Sequence, residues 1–423
     1  MPNTIINKEQ RSFAGLGISP KILEILGKLK FTVPTPIQLK AIPVATQGHD
    51  LMGIAQTGTG KTLAFGIPML QKIVEKGCRG LVVVPTRELA IQVEEALRPI
   101  GRFLGLRAAV IIGGASMYTQ KQEISKKPHV IIATPGRLYD HLQHRSVKLD
   151  QFNIVVLDEG DRMLDMGFEP QIKQILHFVA KEKQTMLFSA TMPENIVKIA
   201  TSYMRTPVRI EVAVSGTTVE QIEQEVYLVH QESKRDLLRT ILAEHAGPVL
   251  VFSRTKHGAS KLAVAVTAMG HTAAEIHSDL NLSQRRRALE SFKTGRCRVL
   301  IATDIAARGI DVKNISLVVN YDLPDDIENY THRIGRTGRA GKVGKAISFA
   351  TPDQRRDIYS IEEMIKKRLT IKEHASVARS STSHTHSSRP FRGAGGGYGT
   401  PRAPQRRNLR DFPARFSRPA NKR

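Results

Sequence analysis

The segment Asp50-Leu-Met-Gly-Ile-Ala-Gln-Thr-Gly-Thr-Gly-Lys-Thr-Leu63 reads as a short apolar strand, a glycine-bearing turn and the opening of an apolar helix. Gly58 and Gly60 let backbone N–H groups curve around phosphate oxygens, and Lys61 is long enough to reach the terminal phosphates. Thr62, at the helix start, suits a Mg²⁺ ligand, and Gln56, Thr57 and Thr59 complete the cradle. Ala55 stands where the generic phosphate loop has its first glycine. A triphosphate site also needs carboxylates, and Ile154-Val-Val-Leu-Asp-Glu-Gly-Asp161 supplies them at the end of another apolar run. Asp158 is expected to hold the metal, and Glu159 to direct the attacking water or accept its proton.

The same rhythm of apolar run, polar loop and helical stretch recurs along the chain, which is the pattern of a parallel α/β sheet. It is seen at Leu81-Val-Val-Val84, Val130-Ile-Ile-Ala133 and Met186-Leu-Phe188. It weakens between Arg205 and Val226, then resumes at Pro248-Val-Leu-Val-Phe252, Arg298-Val-Leu-Ile-Ala302, Leu317-Val-Val-Asn320 and Ala346-Ile-Ser-Phe349. Two α/β domains in tandem are therefore expected. Their bounds are residues 1–207 and 220–370, joined by a linker over 208–219 and followed by a tail over 371–423.

The chain has 423 residues, 63 Lys plus Arg against 39 Asp plus Glu, and a net charge of +24, the footprint of a polyanion partner. Ten of those charges fall in residues 379–423, where Phe391, Tyr398, Phe412 and Phe416 interleave with arginines. That tail has too little apolar content to offset the entropy of ordering, so a disordered basic segment suited to stacking on RNA is expected. Cys78 and Cys297 alone make neither a disulfide framework nor a four-ligand zinc site. No export signal or long apolar span is read, and a cytoplasmic monomer is expected.

Taken with their surroundings, these segments resemble a DEAD-box ATP-dependent RNA helicase, from about Phe13 to about Phe349, and among bacterial members the RhlE-type group most. The resemblance implies two RecA-like domains, with ATP and Mg²⁺ as cofactors. Phe31-Thr-Val-Pro-Thr-Pro-Ile-Gln38 is similar to the family's Q motif, which implies that Gln38 reads adenine and Phe31 stacks on it. Pro85, Thr86 and Arg87, the Gly113-Gly114 pair, and Thr134, Pro135, Gly136 and Arg137 match its RNA-backbone motifs. In the second half, Arg254, Gln284, Arg287, Thr303 and Gly309 are assigned to RNA, and Asp311 to the ribose. His332-Arg-Ile-Gly-Arg-Thr-Gly-Arg339 carries Arg336 and Arg339, which the resemblance makes arginine fingers on the γ-phosphate. Lys61, Asp158, Glu159, Arg336 and Arg339 form the expected catalytic set, and Asp161, Ser189, Thr191 and His332 the set linking nucleotide state to RNA.

One departure is visible: Asp158-Glu159-Gly160-Asp161 stands where the family has Asp-Glu-Ala-Asp. The acids are kept, so a working ATPase is expected, with ~0.5–1 kcal/mol of local destabilisation from the lost methyl. RNA recognised through its backbone is the expected partner, in ribosome assembly or RNA decay. Two other readings stay open at this point: an RNA-annealing protein acting through its tail, and a DNA translocase with a related core. Gln38 and Pro85-Thr-Arg-Glu-Leu-Ala90 favour RNA.

Overall fold

The apolar runs become strands because their side chains are buried on both faces. The computed structural model describes residues 12–56, 58–212, 222–307, 312, 315–338 and 344–374. In the first lobe the strands are β1 (Leu51–Ile54), β2 (Arg79–Val83), β3 (Ala108–Ile111), β4 (Val130–Ala133), β5 (Phe152–Asp158), β6 (Gln184–Ser189) and β7 (Val208–Glu211). Successive side chains point to opposite faces: Val82, Ile154 and Val156 join one core cluster, while Leu81, Val83, Val155 and Leu157 join another. Helices cover both faces, and Phe13 is buried in the first cluster.

The second lobe repeats the plan with β8 (Ile222–Leu228), β9 (Val249–Phe252), β10 (Ala273–Ile276), β11 (Val299–Ala302), β12 (Leu317–Asn320), β13 (Gly344–Ala350) and β14 (Thr370–Glu373). Among the described residues each lobe holds a seven-stranded sheet, ordered β3-β4-β2-β5-β6-β1-β7 in one and β10-β11-β9-β12-β13-β8-β14 in the other. All the pairings are parallel. Strand for strand the two orders are the same, so the chain is one architecture used twice.

Two expected bounds move. Residues 208–211, read from sequence as linker, pair with β1 as the edge strand β7; only Ile210 of that strand is buried, so the apolar signal was faint. The second lobe runs past residue 370, because the wholly exposed strand β14 pairs with β8 as far as Glu373. Linker residues 213–219, the tail from 375, and Thr57, Gly309, Asp311 and Arg339 lie outside the described residues. Among the described residues no helix is long and apolar enough to cross a membrane.

Candidate functional site

Strand order divides the first lobe into two working halves. The segments that follow β5, β6 and β1, three neighbouring strands, carry the acids, Ser189-Ala-Thr191 and the phosphate loop. Those that follow β3, β4 and β2 carry Gly113-Gly114, Thr134–Arg137 and Pro85–Arg87. Parallel strands all end on one edge, so nucleotide and polynucleotide motifs lie side by side at the carboxyl ends.

The phosphate loop is shaped by left-handed glycines: Gly58 has φ +86° and Gly60, which caps the helix Lys61–Lys76, has φ +94°. A Cβ on Gly60 would lie 2.6 Å from Gln38 Nε2 and 2.9 Å from Thr35 Oγ1, so a larger residue would be strained at this φ and would push both side chains aside. Gln38 ties the loop to the helix Pro36–Thr46. Its Nε2 donates to the Gly60 carbonyl at 3.0 Å, and its Oε1 accepts from the Thr35 N–H at 2.9 Å. Phe31 keeps 41% of its surface exposed, an open flat ring beside this motif. The buried Lys61 ammonium donates to the Ala55 carbonyl at 3.0 Å and lies 3.9 Å from Asp158 Oδ1. Thr59 Oγ1 closes the turn on the Gln56 carbonyl at 2.7 Å.

Asp158 and Glu159 are both about 2% exposed, but their carboxyl pKa values are pushed in opposite directions. Burial pushes the Asp158 carboxyl up to about 6, against the pull of Lys61. Glu159 is also raised by burial, yet Arg162, Lys61 and Arg336 more than offset this and hold it below the usual carboxylate range. Arg162 Nη1 donates to Glu159 Oε2 at 2.7 Å. Glu159 has φ +56° and ψ +51°, a conformation that costs a side-chain-bearing residue about 1–3 kcal/mol and is commonly stored at working sites. Asp161 organises the next strand end: its Oδ2 accepts from the Ala190 and Thr191 N–H groups and from Thr191 Oγ1, while its own N–H donates to Ser189 Oγ at 3.0 Å.

The second lobe contributes to this half through Arg336, only 4% exposed, whose charge acts on Glu159 across the lobe boundary. Arg336 Nε donates to the His332 carbonyl at 3.1 Å. Its neighbour Arg333 has another task. It is buried, pairs with Asp304, donates to the Asp322 carbonyl at 2.6 Å and lies over the Phe252 ring. One of the four clustered cations in His332–Arg339 is therefore a core anchor with its own carboxylate.

On the other half, Arg87 lies across the Gly113-Gly114 turn: a Cβ on Gly114, at φ +76°, would stand 2.4 Å from Arg87 Nη1. Arg137 Nη1 donates to the Ala115 carbonyl at 2.8 Å. Thr86 caps the helix Arg87–Phe103, its hydroxyl oxygen accepting from the Leu89 N–H at 3.2 Å. A groove of about 450 Å³ is lined by Pro85, Thr86, Arg87, Gly113, Gly114, Thr134, Gly136 and Arg137, with Ser278 and Arg285 from the second lobe. Of the first-lobe residues assigned to RNA, Pro135 alone is not on its wall.

The second-lobe residues assigned to RNA are more scattered. Arg254 lines a separate pocket with Lys234 and Tyr321 and pairs with Asp325 at 3.2 Å. Thr303 follows β11, where its carbonyl accepts from the Ala306 and Ala307 N–H groups. Gln284 accepts from the Asn281 N–H in a helix cap, and both Gln284 and Arg287 face a shallow depression with Glu275, away from the groove. Arg285, passed over in the sequence, is the residue of that run that enters the groove. The signal was periodicity: Leu282, Arg285, Leu289 and Phe292 fall on one helix face, and Arg285, Leu289 and Phe292 are buried.

Thr62 and Asp158, the residues expected to take a magnesium ion, offer one hydroxyl and one carboxylate, and no cluster of three or more metal-binding side chains exists among the described residues. One carboxylate and one hydroxyl fit an ion that takes its other ligands from phosphate and water. The raised Asp158, buried with one cation at 3.9 Å, is the kind of group a divalent ion would relieve.

The DEAD/DEAH box helicase model matches residues 35–199, and that of the helicase conserved C-terminal domain matches residues 233–341. The chain is 44% identical over 361 residues, 85% of its length and 77% of the relative's, to the DEAD-box ATP-dependent RNA helicase CshA of Geobacillus kaustophilus. It is 41% identical over 380 residues, 89% of the chain and 80% of the relative, to the ATP-dependent rRNA helicase RRP3 of Debaryomyces hansenii. Among solved structures it is similar to S. cerevisiae Dbp5 bound to RNA and ADP BeF3, with TM-score 0.77 and 31% identity, covering 88% of this chain and 98% of that one. It is likewise similar to Mss116p bound to ssRNA and AMP-PNP, with TM-score 0.77 and 27% identity over 85% and 78% of the two chains. With both domain models present and this likeness running over most of its length in sequence and backbone, the chain belongs to the DEAD-box ATP-dependent RNA helicases.

Proposed function

We propose that ATP hydrolysis by this helicase is gated by the meeting of its lobes, and that the cycle opens short RNA duplexes locally. What supports this reading is the division of the site: Lys61 and Glu159 lie at strand ends of the first lobe, while the buried Arg336 comes from the second and is near enough to add to the pull of Arg162 and Lys61 on Glu159. A base must be unprotonated to work, and the cations around Glu159 keep it so at neutral pH. In this scheme Lys61 and the amides of the phosphate loop hold the triphosphate, and Gln38 and Phe31 hold the adenine. Glu159 takes the proton of the attacking water, while Arg336 and Arg339 stabilise charge on the transferred phosphoryl group as ADP and phosphate form. Thr62 and Asp158 would hold a Mg²⁺ ion, which would supply positive charge to the phosphate oxygens.

RNA phosphates enter the groove between Arg87, Arg137 and the glycine turn, so binding follows backbone shape more than base sequence. Asp161, Ser189, Thr191 and His332 join the two halves of the site. Because the RNA and ATP residues are both split between lobes, each ligand favours the closed arrangement and raises affinity for the other. The RRP3 relative is named an rRNA helicase, which makes structured ribosomal RNA the first substrate to try, with a cytoplasmic monomer as the working form. The test is ATPase stimulation by an RNA and by a DNA of the same sequence. Stimulation by RNA alone is expected; equal stimulation by both contradicts the reading.

A further inference from the structure

We infer that Gln120 is a positioning residue for RNA, a role that rests on the groove being the polynucleotide site: oriented by His141, it fixes the Gly113-Gly114 turn of the groove wall. The helix Met117–Ser125 follows that turn, and its single buried residue is Gln120, at a place where packing alone favours an apolar side chain. Both ends of the Gln120 amide are used. Its Nε2 donates to the Ile112 carbonyl at 2.8 Å, and its Oε1 faces His141 Nε2 at 3.1 Å. Ile112 immediately precedes Gly113, and Ala115, immediately after Gly114, has its own carbonyl held by Arg137. Side chains therefore hold both carbonyls that flank the glycine pair, one directly and one through Gln120. The two sources, Arg137 and His141, lie one turn apart on the helix Pro135–Gln143.

The donors along this chain run in one direction. Gln120 Oε1 can only accept, so His141 carries its proton on Nε2, and the bare Nδ1 accepts from the Ser146 hydroxyl at 2.7 Å. Turned end for end, the amide would set its oxygen against the Ile112 carbonyl and its NH₂ against the ring N–H, so one orientation alone is free of repulsion. Gly114, at φ +76°, leaves the turn conformationally permissive, and a tether on the preceding carbonyl restricts it before any ligand arrives. A turn shaped in advance loses less entropy on binding a phosphate, so the tether acts on RNA affinity.

The test uses the full-length protein, a fluorescein-labelled single-stranded RNA and a non-hydrolysable ATP analogue. Gln120→Met keeps the length and bulk of the side chain without its amide, and Gln120→Glu keeps the acceptor for His141 but not the donor to Ile112. Both should raise Kd for RNA about fivefold or more, the effect of one lost buried hydrogen bond, and His141→Leu about threefold. KM for ATP should stay within about twofold, because the phosphate loop follows β1 on the other half of the lobe. Amide hydrogen exchange over residues 112–116 without RNA should quicken about threefold or more. A wild-type Kd in both Gln120 variants overturns the role, whatever their thermal stability, and so does a matching rise in KM for ATP, which marks general loosening. Kd that depends on Gln120 in a protein whose ATPase RNA does not stimulate supports the positioning role and counts against the proposed mechanism alone. RNA-stimulated ATPase with Kd indifferent to Gln120 does the reverse.

Discussion

Gln38 holds Gly60: one end of its amide donates to the glycine carbonyl at 3.0 Å while the other accepts the Thr35 N–H at 2.9 Å. A residue expected to read adenine thus also sets the shape of the loop that grips phosphate. Gln38→Glu keeps the acceptor for Thr35 but puts a carboxylate against a carbonyl and close to the phosphates. ATP titrations of the RNA-stimulated reaction should show KM raised about tenfold, the equivalent of about 1.4 kcal/mol, with a smaller change in kcat. An unchanged KM for ATP contradicts the support role.

Gly160, the departure from the family's alanine, does not use glycine's conformational freedom; the strained residue is Glu159 at φ +56°. A Cβ on Gly160 would stand 3.0 Å from Leu187 Cδ1 and 3.1 Å from Ile196 Cδ1, so the surroundings have partly closed over the missing methyl. Gly160→Ala gains about 0.5–1 kcal/mol in backbone entropy and loses a similar amount in crowding. Thermal unfolding should move by less than about 4 °C, with ATPase within about threefold of wild type. A rise well beyond that means the space was open.

The strands were readable because central parallel strands are buried on both faces and so appear as unbroken apolar runs. Edge strands give no such signal, which is why Val208–Glu211 read as linker and Thr370–Glu373 fell mostly in the expected tail. The phosphate loop and the acids were readable because each is local in sequence. Arg285 was hidden because its burial depends on pairing with Glu88, some two hundred residues away, and because three consecutive arginines differ only in the helix face they occupy. Arg333 was misleading for a related reason: its compensating carboxylate, Asp304, arrives from another strand end. What stayed out of reach was pairing across the fold.

His141 is fully buried between the helices Met117–Ser125 and Pro135–Gln143, bonded to Ser146 Oγ at 2.7 Å and Gln120 Oε1 at 3.1 Å. Burial first, then Arg137 and Lys121, holds its pKa below the ordinary histidine value, against a smaller opposing pull from Asp140. The folded state therefore keeps it neutral, while the unfolded chain takes up a proton as pH falls below about 6.5. Its contribution to stability is full above that pH and is lost as pH drops toward the folded pKa. Denaturant melts should show His141→Gln less stable by about 1–2 kcal/mol at pH 7.5 for its lost bonds, with the gap narrowing toward pH 5. A gap constant with pH contradicts the assignment.

The most direct test of lobe-gated hydrolysis is single-turnover ATP hydrolysis by Arg336→Ala at saturating RNA, with ATP affinity measured on the same preparation. The account predicts a rate lower by about a thousandfold or more, in the range that arginine fingers supply, with affinity within about threefold of wild type. Near-normal hydrolysis contradicts it, and so does a loss explained entirely by failure to bind ATP.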